Sequence, residues 1–188
     1  MADGPSKRSK QIVTIPNLLS AFRVLLVPLI VWLYCGTGNY PLTAWVLVLS
    51  GVTDIADGFI ARQFHMVSDL GKVLDPIADK LTQTAALGCL LTRFPAIWWL
   101  LGVLVVKETV MAVMGLLVIR RTGAVFSAAW HGKLAACVLY AVIFAHIVWY
   151  DIPPAVSCAM ALAGAAGILL TLTLYTVQNL RRIRAAEQ

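Results

Sequence analysis

Asp54, Asp57, Asp75 and Asp79 are the residues in this chain best suited to do chemistry. They are four of only nine acidic residues in 188. Asp54 and Asp57 are three apart in sequence, and Asp75 and Asp79 are four apart. On helices each pair lies on one face, about one turn apart. The flanking stretches, 42–52 and 81–91, are strongly apolar. Carboxylates that converge between apolar helices cannot all stay ionised without positive charge beside them. The simplest source is divalent metal, since two Mg²⁺ or Mn²⁺ ions balance four carboxylates. Hard cations with oxygen ligands favour phosphate substrates. The competing explanation is a salt-bridge network that only holds helices together. It carries less weight, because ionisable groups within membrane spans are functional by default.

The elements that must position these groups follow from composition. The chain is 60% hydrophobic and 13% charged, with a mean hydropathy of +0.84. Soluble domains carry about a quarter charged residues. The expectation is an all-α polytopic membrane protein with six transmembrane helices, at about 15–35, 42–62, 69–93, 96–119, 132–150 and 155–178. Turn signals separate them: a Gly-, Asn- and Pro-rich cluster at 36–41, Phe94-Pro95, a break at 120–123, and Asp151 with Pro153 and Pro154. Residues 1–11 read as a disordered basic segment, 12–180 as one membrane domain and 181–188 as a basic tail. Lys7, Arg8 and Lys10 before the apolar run 18–35 superficially suggest a signal peptide. The run is long, holds Arg23 and Pro28, and has no small-residue cleavage site after it, so it reads as a retained first span.

An even number of spans puts both termini on one side. With the termini cytoplasmic, Arg62, Lys72, Arg120, Arg121, Lys133, Arg181, Arg182 and Arg184 fall in or beside cytoplasmic segments, and Arg93 alone lies near an outer turn. This follows the positive-inside rule and places the four aspartates at the cytoplasmic ends of their helices. The expected location is the cell membrane, with the active site facing the cytoplasm. The net charge of +6 therefore reflects topology and phosphate binding; nothing in its pattern suggests a nucleic-acid partner. Cys35, Cys89, Cys137 and Cys158 are scattered singly, which argues against a zinc site or a disulfide framework.

The acidic window has a specific form: Asp54, two residues, Asp57-Gly58, two residues, Ala61-Arg62, eight residues, Gly71, three residues, Asp75, three residues, Asp79. This pattern resembles the signature of the CDP-alcohol phosphotransferase family, and the six-span layout extends the resemblance over about residues 12–180. The resemblance implies transfer of a phosphoalcohol from a CDP-alcohol to an acceptor hydroxyl with release of CMP. It also implies a two-metal site in a cytoplasm-facing cavity, and a homodimer. By the same resemblance Asp54, Asp57 and Asp75 are metal ligands. Asp79 deprotonates the acceptor hydroxyl and also reaches the second metal. Gly58 and the small Ala61 leave room for the nucleotide, Gly71 allows close backbone approach or simply opens a helix, and Arg62 can pair with a phosphate.

Helix 1 adds Asn17, Ser20 and Arg23, three apart on one broad face. An Arg inside a span needs a polar partner. The family has a similar Asn, hydroxyl and Arg set lining the nucleotide site, although Ser20 stands where it often has Thr. The plainer alternative is an N-cap Asn and an Arg that snorkels to the interface. Lys107 and Glu108 lie near the middle of the fourth helix. Sequence neighbours point in different directions on a helix, so Lys107 is read as facing the cavity, with a local pair as the alternative. Lys133, at the start of the fifth helix, is the candidate for an acceptor phosphate, with Arg120 and Arg121 as further candidates; topology charge is the alternative for all three. His65, His131 and His146 receive no catalytic role. Trp98, Trp99 and Trp149 read as interfacial anchors.

The donor expected is CDP-diacylglycerol, taken laterally from membrane lipid while its nucleotide stays in water. The string at 74–80, LDPIADK, looks most like the phosphatidylglycerophosphate synthase branch. The acceptor is then glycerol 3-phosphate, with phosphatidylglycerol, as in the cardiolipin synthase branch, as runner-up. A metal or proton transporter is the rival of another class. Against it, the acids cluster at one membrane edge and form no relay to the other side.

Overall fold

The computed structural model describes residues 15–63, 71–122, 130–149 and 151–186. All regular structure among them is helical: α1 (Ile15–Val31), a π-helical turn (Trp32–Gly36), α2 (Tyr40–Gln63), α3 (Gly71–Leu90), α4 (Ile97–Thr122), α5 (Trp130–Val148) and α6 (Pro154–Ala186). The chain divides into two compact units after Ala86.

The first unit is built on an antiparallel hairpin of α1 and α2. The buried face of α1 runs Asn17, Ser20, Arg23, Leu26, Ile30, Leu33, at the spacing of one helix face. Its first half is polar and its second half apolar. Leu18, Phe22, Leu25 and Trp32 point outward and are exposed. Polar inside and apolar outside inverts the pattern of a water-soluble helix and suits a helix facing hydrocarbon. On α2, Thr43, Leu47, Ser50 and Asp57 form the matching buried stripe, and Trp45, Val52, Ile55 and Phe59 face outward.

The turn between the two helices is held by three local devices. The Thr37 N–H donates to the Trp32 carbonyl, five residues back, at 3.1 Å. Gly38 takes a left-handed φ of 64°, which only glycine adopts freely. The Asn39 side-chain oxygen accepts from the Leu42 N–H at 3.1 Å and so caps α2. Pro41 falls in the first turn, where a missing N–H costs nothing. Tyr34 and Tyr40 pack edge to face across the turn at 5.0 Å.

In the second unit α6 packs against both α4 and α5. The three helices meet at Gly164, where a Cβ would stand 3.2 Å from Leu100 of α4 and 3.7 Å from Val142 of α5. His146 of α5 also binds Ser157 of α6 at 3.0 Å.

The chain is an all-α membrane protein. The six expected helices are all present, and four of them, within α1 with its π turn, α2, α4 and α6, are long and apolar enough to cross a membrane. The apolar part of α5 is shorter, Leu134–Val148, and α3 carries Lys72, Asp75, Asp79 and Lys80 in its first half. Several ends differ from the sequence expectation. α4 continues through Arg120 and Arg121 to Thr122. α6 runs to Ala186, so Arg181, Arg182 and Arg184 are helical where a tail was expected. Neither Gly nor Pro interrupts that stretch, and Arg, Leu and Ala are good helix formers. Residues 1–14, 64–70, 123–129, 150, 187 and 188, with the expectations placed on them, lie outside the described residues.

Candidate active site

The acidic window spans the end of α2 and the start of α3, and the polar half of α1 faces it. Arg23 is 1% exposed and forks: Nη1 pairs with Asp54 and Nη2 with Asp57. Asp57 is 3% exposed, whereas the Asp54 side chain keeps 48% of its surface open. One turn earlier on α1, the fully buried Ser20 hydroxyl donates to Asp75 of α3. Three motif aspartates from two helices are thus joined to two residues of one α1 face. Asn17 extends that face by a further turn and is also buried.

Asp79 lies one turn beyond Asp75 and is half-buried. Its Oδ2 accepts from the Gln83 side-chain amide at 3.2 Å. Gly58 follows Asp57 directly and is half-buried, and the buried Gly71 opens α3. Ala61 and Arg62 occupy the last turn of α2, with side chains outside the described set.

These residues suit divalent metal by type. Carboxylate oxygens are hard ligands, and the exposed side of Asp54 leaves a route from solvent. Among the described residues the Arg23 guanidinium pairs with two of the three carboxylates, Asp54 and Asp57, while Asp75 takes a neutral hydroxyl. The Arg23 Nε is buried with no hydrogen-bond partner among the described residues. As arranged, no three acidic, His or Cys side chains among the described residues gather closely enough to hold one ion, and Arg23 bridges Asp54 and Asp57.

The cations expected to bind an acceptor all belong to the second unit. Arg120 and Arg121 are exposed in the last turn of α4. Lys133 lies in the first turn of α5, and its side chain is outside the described set. Lys107 pairs with Glu108 at 2.5 Å, which is the local pair ranked second from sequence. Adjacent Cα–Cβ bonds diverge, but a four-carbon lysine stem can curl back to its neighbour, and an apolar span rewards that closure.

Gln83 was missed from sequence. Its signal was a carboxamide four residues after Asp79 in an otherwise apolar stretch. His146 is buried, with Nδ1 bound to the Val142 carbonyl at 2.8 Å and Nε2 to Ser157.

Residues 13–177 match the family model described as CDP-alcohol phosphatidyltransferase. The chain is 31% identical over 186 residues to the probable phosphatidylglycerophosphate synthase of Mycobacterium tuberculosis, covering 95% of this chain and 87% of that protein. It is 39% identical over 112 residues to a cardiolipin synthase (CMP-forming) of Streptomyces coelicolor, covering 57% of this chain and 52%, about half, of the relative. A CDP-diacylglycerol–glycerol-3-phosphate 3-phosphatidyltransferase of Bacillus subtilis is 34% identical over 135 residues, 64% of this chain and 69% of that protein.

Proposed function

The chain belongs to the CDP-alcohol phosphatidyltransferase family, and on that premise we propose that it transfers a phosphatidyl group from CDP-diacylglycerol to glycerol 3-phosphate, giving phosphatidylglycerophosphate and CMP. Membership of a transferase family sets the transporter alternative aside. The observation that carries the reading is the joining of Asp54, Asp57 and Asp75, at the signature spacing, to Ser20 and Arg23 of α1. The M. tuberculosis and B. subtilis relatives, by their names, support glycerol 3-phosphate as the acceptor.

In the reaction, an acceptor hydroxyl oxygen attacks the phosphorus that bears the diacylglycerol. The bond from that phosphorus to the bridging oxygen breaks, and CMP leaves with that oxygen. Asp79 takes the hydroxyl proton. Two divalent cations, Mg²⁺ or Mn²⁺, held by Asp54, Asp57, Asp75 and Asp79, would neutralise phosphate oxygens. Asn17, Ser20, Arg23, Gly58, Ala61, Arg62 and Gly71 form the donor side. Arg23 orders Asp54 and Asp57, and Ser20 orders Asp75. Lys133, with Arg120 and Arg121, is assigned to the acceptor phosphate; Lys107, already paired with Glu108, is the weakest of the four. The proposal includes six spans, cytoplasmic termini and active site, residence in the cell membrane, and a homodimer.

The second reading has phosphatidylglycerol as acceptor. Its support is the 39% identity to the Streptomyces cardiolipin synthase, over a shorter stretch. Purified protein in liposomes with CDP-diacylglycerol and Mg²⁺ separates the two. CMP release should require glycerol 3-phosphate and stop on chelation. Lys133→Ala should raise the Michaelis constant for glycerol 3-phosphate by roughly 10- to 150-fold, the loss of a charge-assisted hydrogen bond, and leave that for the donor nearly unchanged. Release supported by phosphatidylglycerol alone would replace the first reading with the second. No release with either acceptor would overturn both.

A further inference from the structure

Asp75, Asp79 and Gln83 follow one another at four-residue spacing along α3. They form a polar stripe on a helix whose neighbouring positions, Ala78, Thr82 and Ala86, are buried. Thr82 turns its hydroxyl onto its own helix, donating to the Ala78 carbonyl at 2.9 Å. Gln83 does otherwise. It is 5% exposed, and its amide donates to Asp79 Oδ2 at 3.2 Å. A buried carboxamide is a poor choice for packing alone, because its polar atoms must all find partners. A leucine or methionine would fill a similar volume at less desolvation cost.

We infer that Gln83 is a positioning residue for Asp79, holding the carboxylate by Oδ2 and so helping to fix the plane in which it meets the acceptor hydroxyl. This rests on the proposed reaction, in which Asp79 takes the proton. A carboxylate on a two-bond stem rotates readily about its last torsion. A donor on Oδ2 helps to fix the plane of the group. A general base must lie within hydrogen-bond reach of its proton in the reacting pose, so a fixed plane raises turnover without adding binding. Gln83 touches neither substrate in this scheme. Its effect should therefore appear in kcat and not in the Michaelis constants.

The test is Gln83→Met, which keeps length and volume and removes the donor, with Gln83→Glu as a second variant that keeps the shape and replaces the donor with negative charge. Expected for Gln83→Met is a fall of roughly 10- to 100-fold in kcat, the range for losing a hydrogen bond to a charged group. Both Michaelis constants should stay within about twofold of the unmutated protein, and the thermal midpoint within a few degrees. Gln83→Glu should lose at least as much, so the inference stays exposed if the Met variant does not fold. Unchanged kcat in either folded variant overturns the inference, because packing would then suffice. A rise in either Michaelis constant overturns it by making Gln83 a substrate contact. These failures are distinct from failure of the reaction itself, which would appear as no CMP release from unmutated protein and would remove both.

Discussion

Both units bury polar side chains among apolar helices, and they do so in opposite ways. In the second unit His146 and Ser157 satisfy one another. The Val142 carbonyl can only accept, so Nδ1 carries the proton, and Nε2 takes the Ser157 hydroxyl hydrogen. Phe94 packs edge on against the same ring at 4.9 Å. The set is neutral and closed. In the first unit the buried set is charged at its centre: the Arg23 guanidinium pairs with Asp57 and with Asp54, which is half open to solvent. A closed neutral set ties α5 to α6. A charged, partly open set offers the hard oxygen ligands and the access that a cation would need. The difference teaches that polarity inside a span does not by itself mark a reactive site; net charge and access do.

The sharpest way to break this contrast is Asp57→Asn. The substitution keeps the shape and removes one charge from the most deeply buried motif carboxylate. CMP release should fall roughly 100-fold or more, as for loss of a preorganised charge at a phosphoryl centre, with the protein still helical and monodisperse. Asp54→Asn and Asp75→Asn should behave alike. Full activity in any one of them would take that residue out of the site. The matching perturbation in the second unit is His146→Ala. It strands the Ser157 hydroxyl, at about 1–3 kcal/mol for a buried group left unsatisfied, while the Val142 carbonyl keeps the backbone helix bond from residue 146. The thermal midpoint should drop by several degrees while kcat stays within about twofold. Loss of activity without loss of stability would show that the closed set is not merely structural.

How much of this was legible in the sequence depended on range. The aspartate spacing and the Asn17, Ser20, Arg23 series are short-range facts; the α1 series fell on one buried face as expected, and Asp54 and Asp57 both reach Arg23. What those side chains touch is long-range. Ser20 meets Asp75 from 55 positions away and Arg23 meets Asp57 from 34, and no local pattern specifies such pairs. The π-helical turn after Val31 was likewise hidden, because nothing in the Trp32–Gly36 string separates it from ordinary helix. The end of α6 was misjudged for another reason. Three arginines follow its apolar run, but charge ends a hydrophobic run without ending a helix. Lys107 and Glu108 were judged by Cβ direction, which governs short side chains better than a lysine.

The smallest predicted effect tests how tightly the closed unit is packed. Gly164→Ala adds one methyl where α4, α5 and α6 meet, 3.2 Å from Leu100 and 3.7 Å from Val142. Two terms oppose one another. Alanine is the better helix former by about 0.5–1 kcal/mol. Against it, a contact at 3.2 Å requires Leu100 to move by a few tenths of an ångström. Leu100 is fully buried, so it has no open space to turn into, and overpacking typically costs about 1–3 kcal/mol. Packing should win narrowly, with a net loss of up to about 1 kcal/mol and a midpoint lowered by roughly 2–4 °C. CMP release should be unchanged, since Gly164 lies outside the acidic window. A midpoint that rises would mean that Leu100 yields easily and that helix propensity decides the sign. The second unit would then be softer than its satisfied His146–Ser157 pair suggests, and the contrast with the first unit would rest on charge alone.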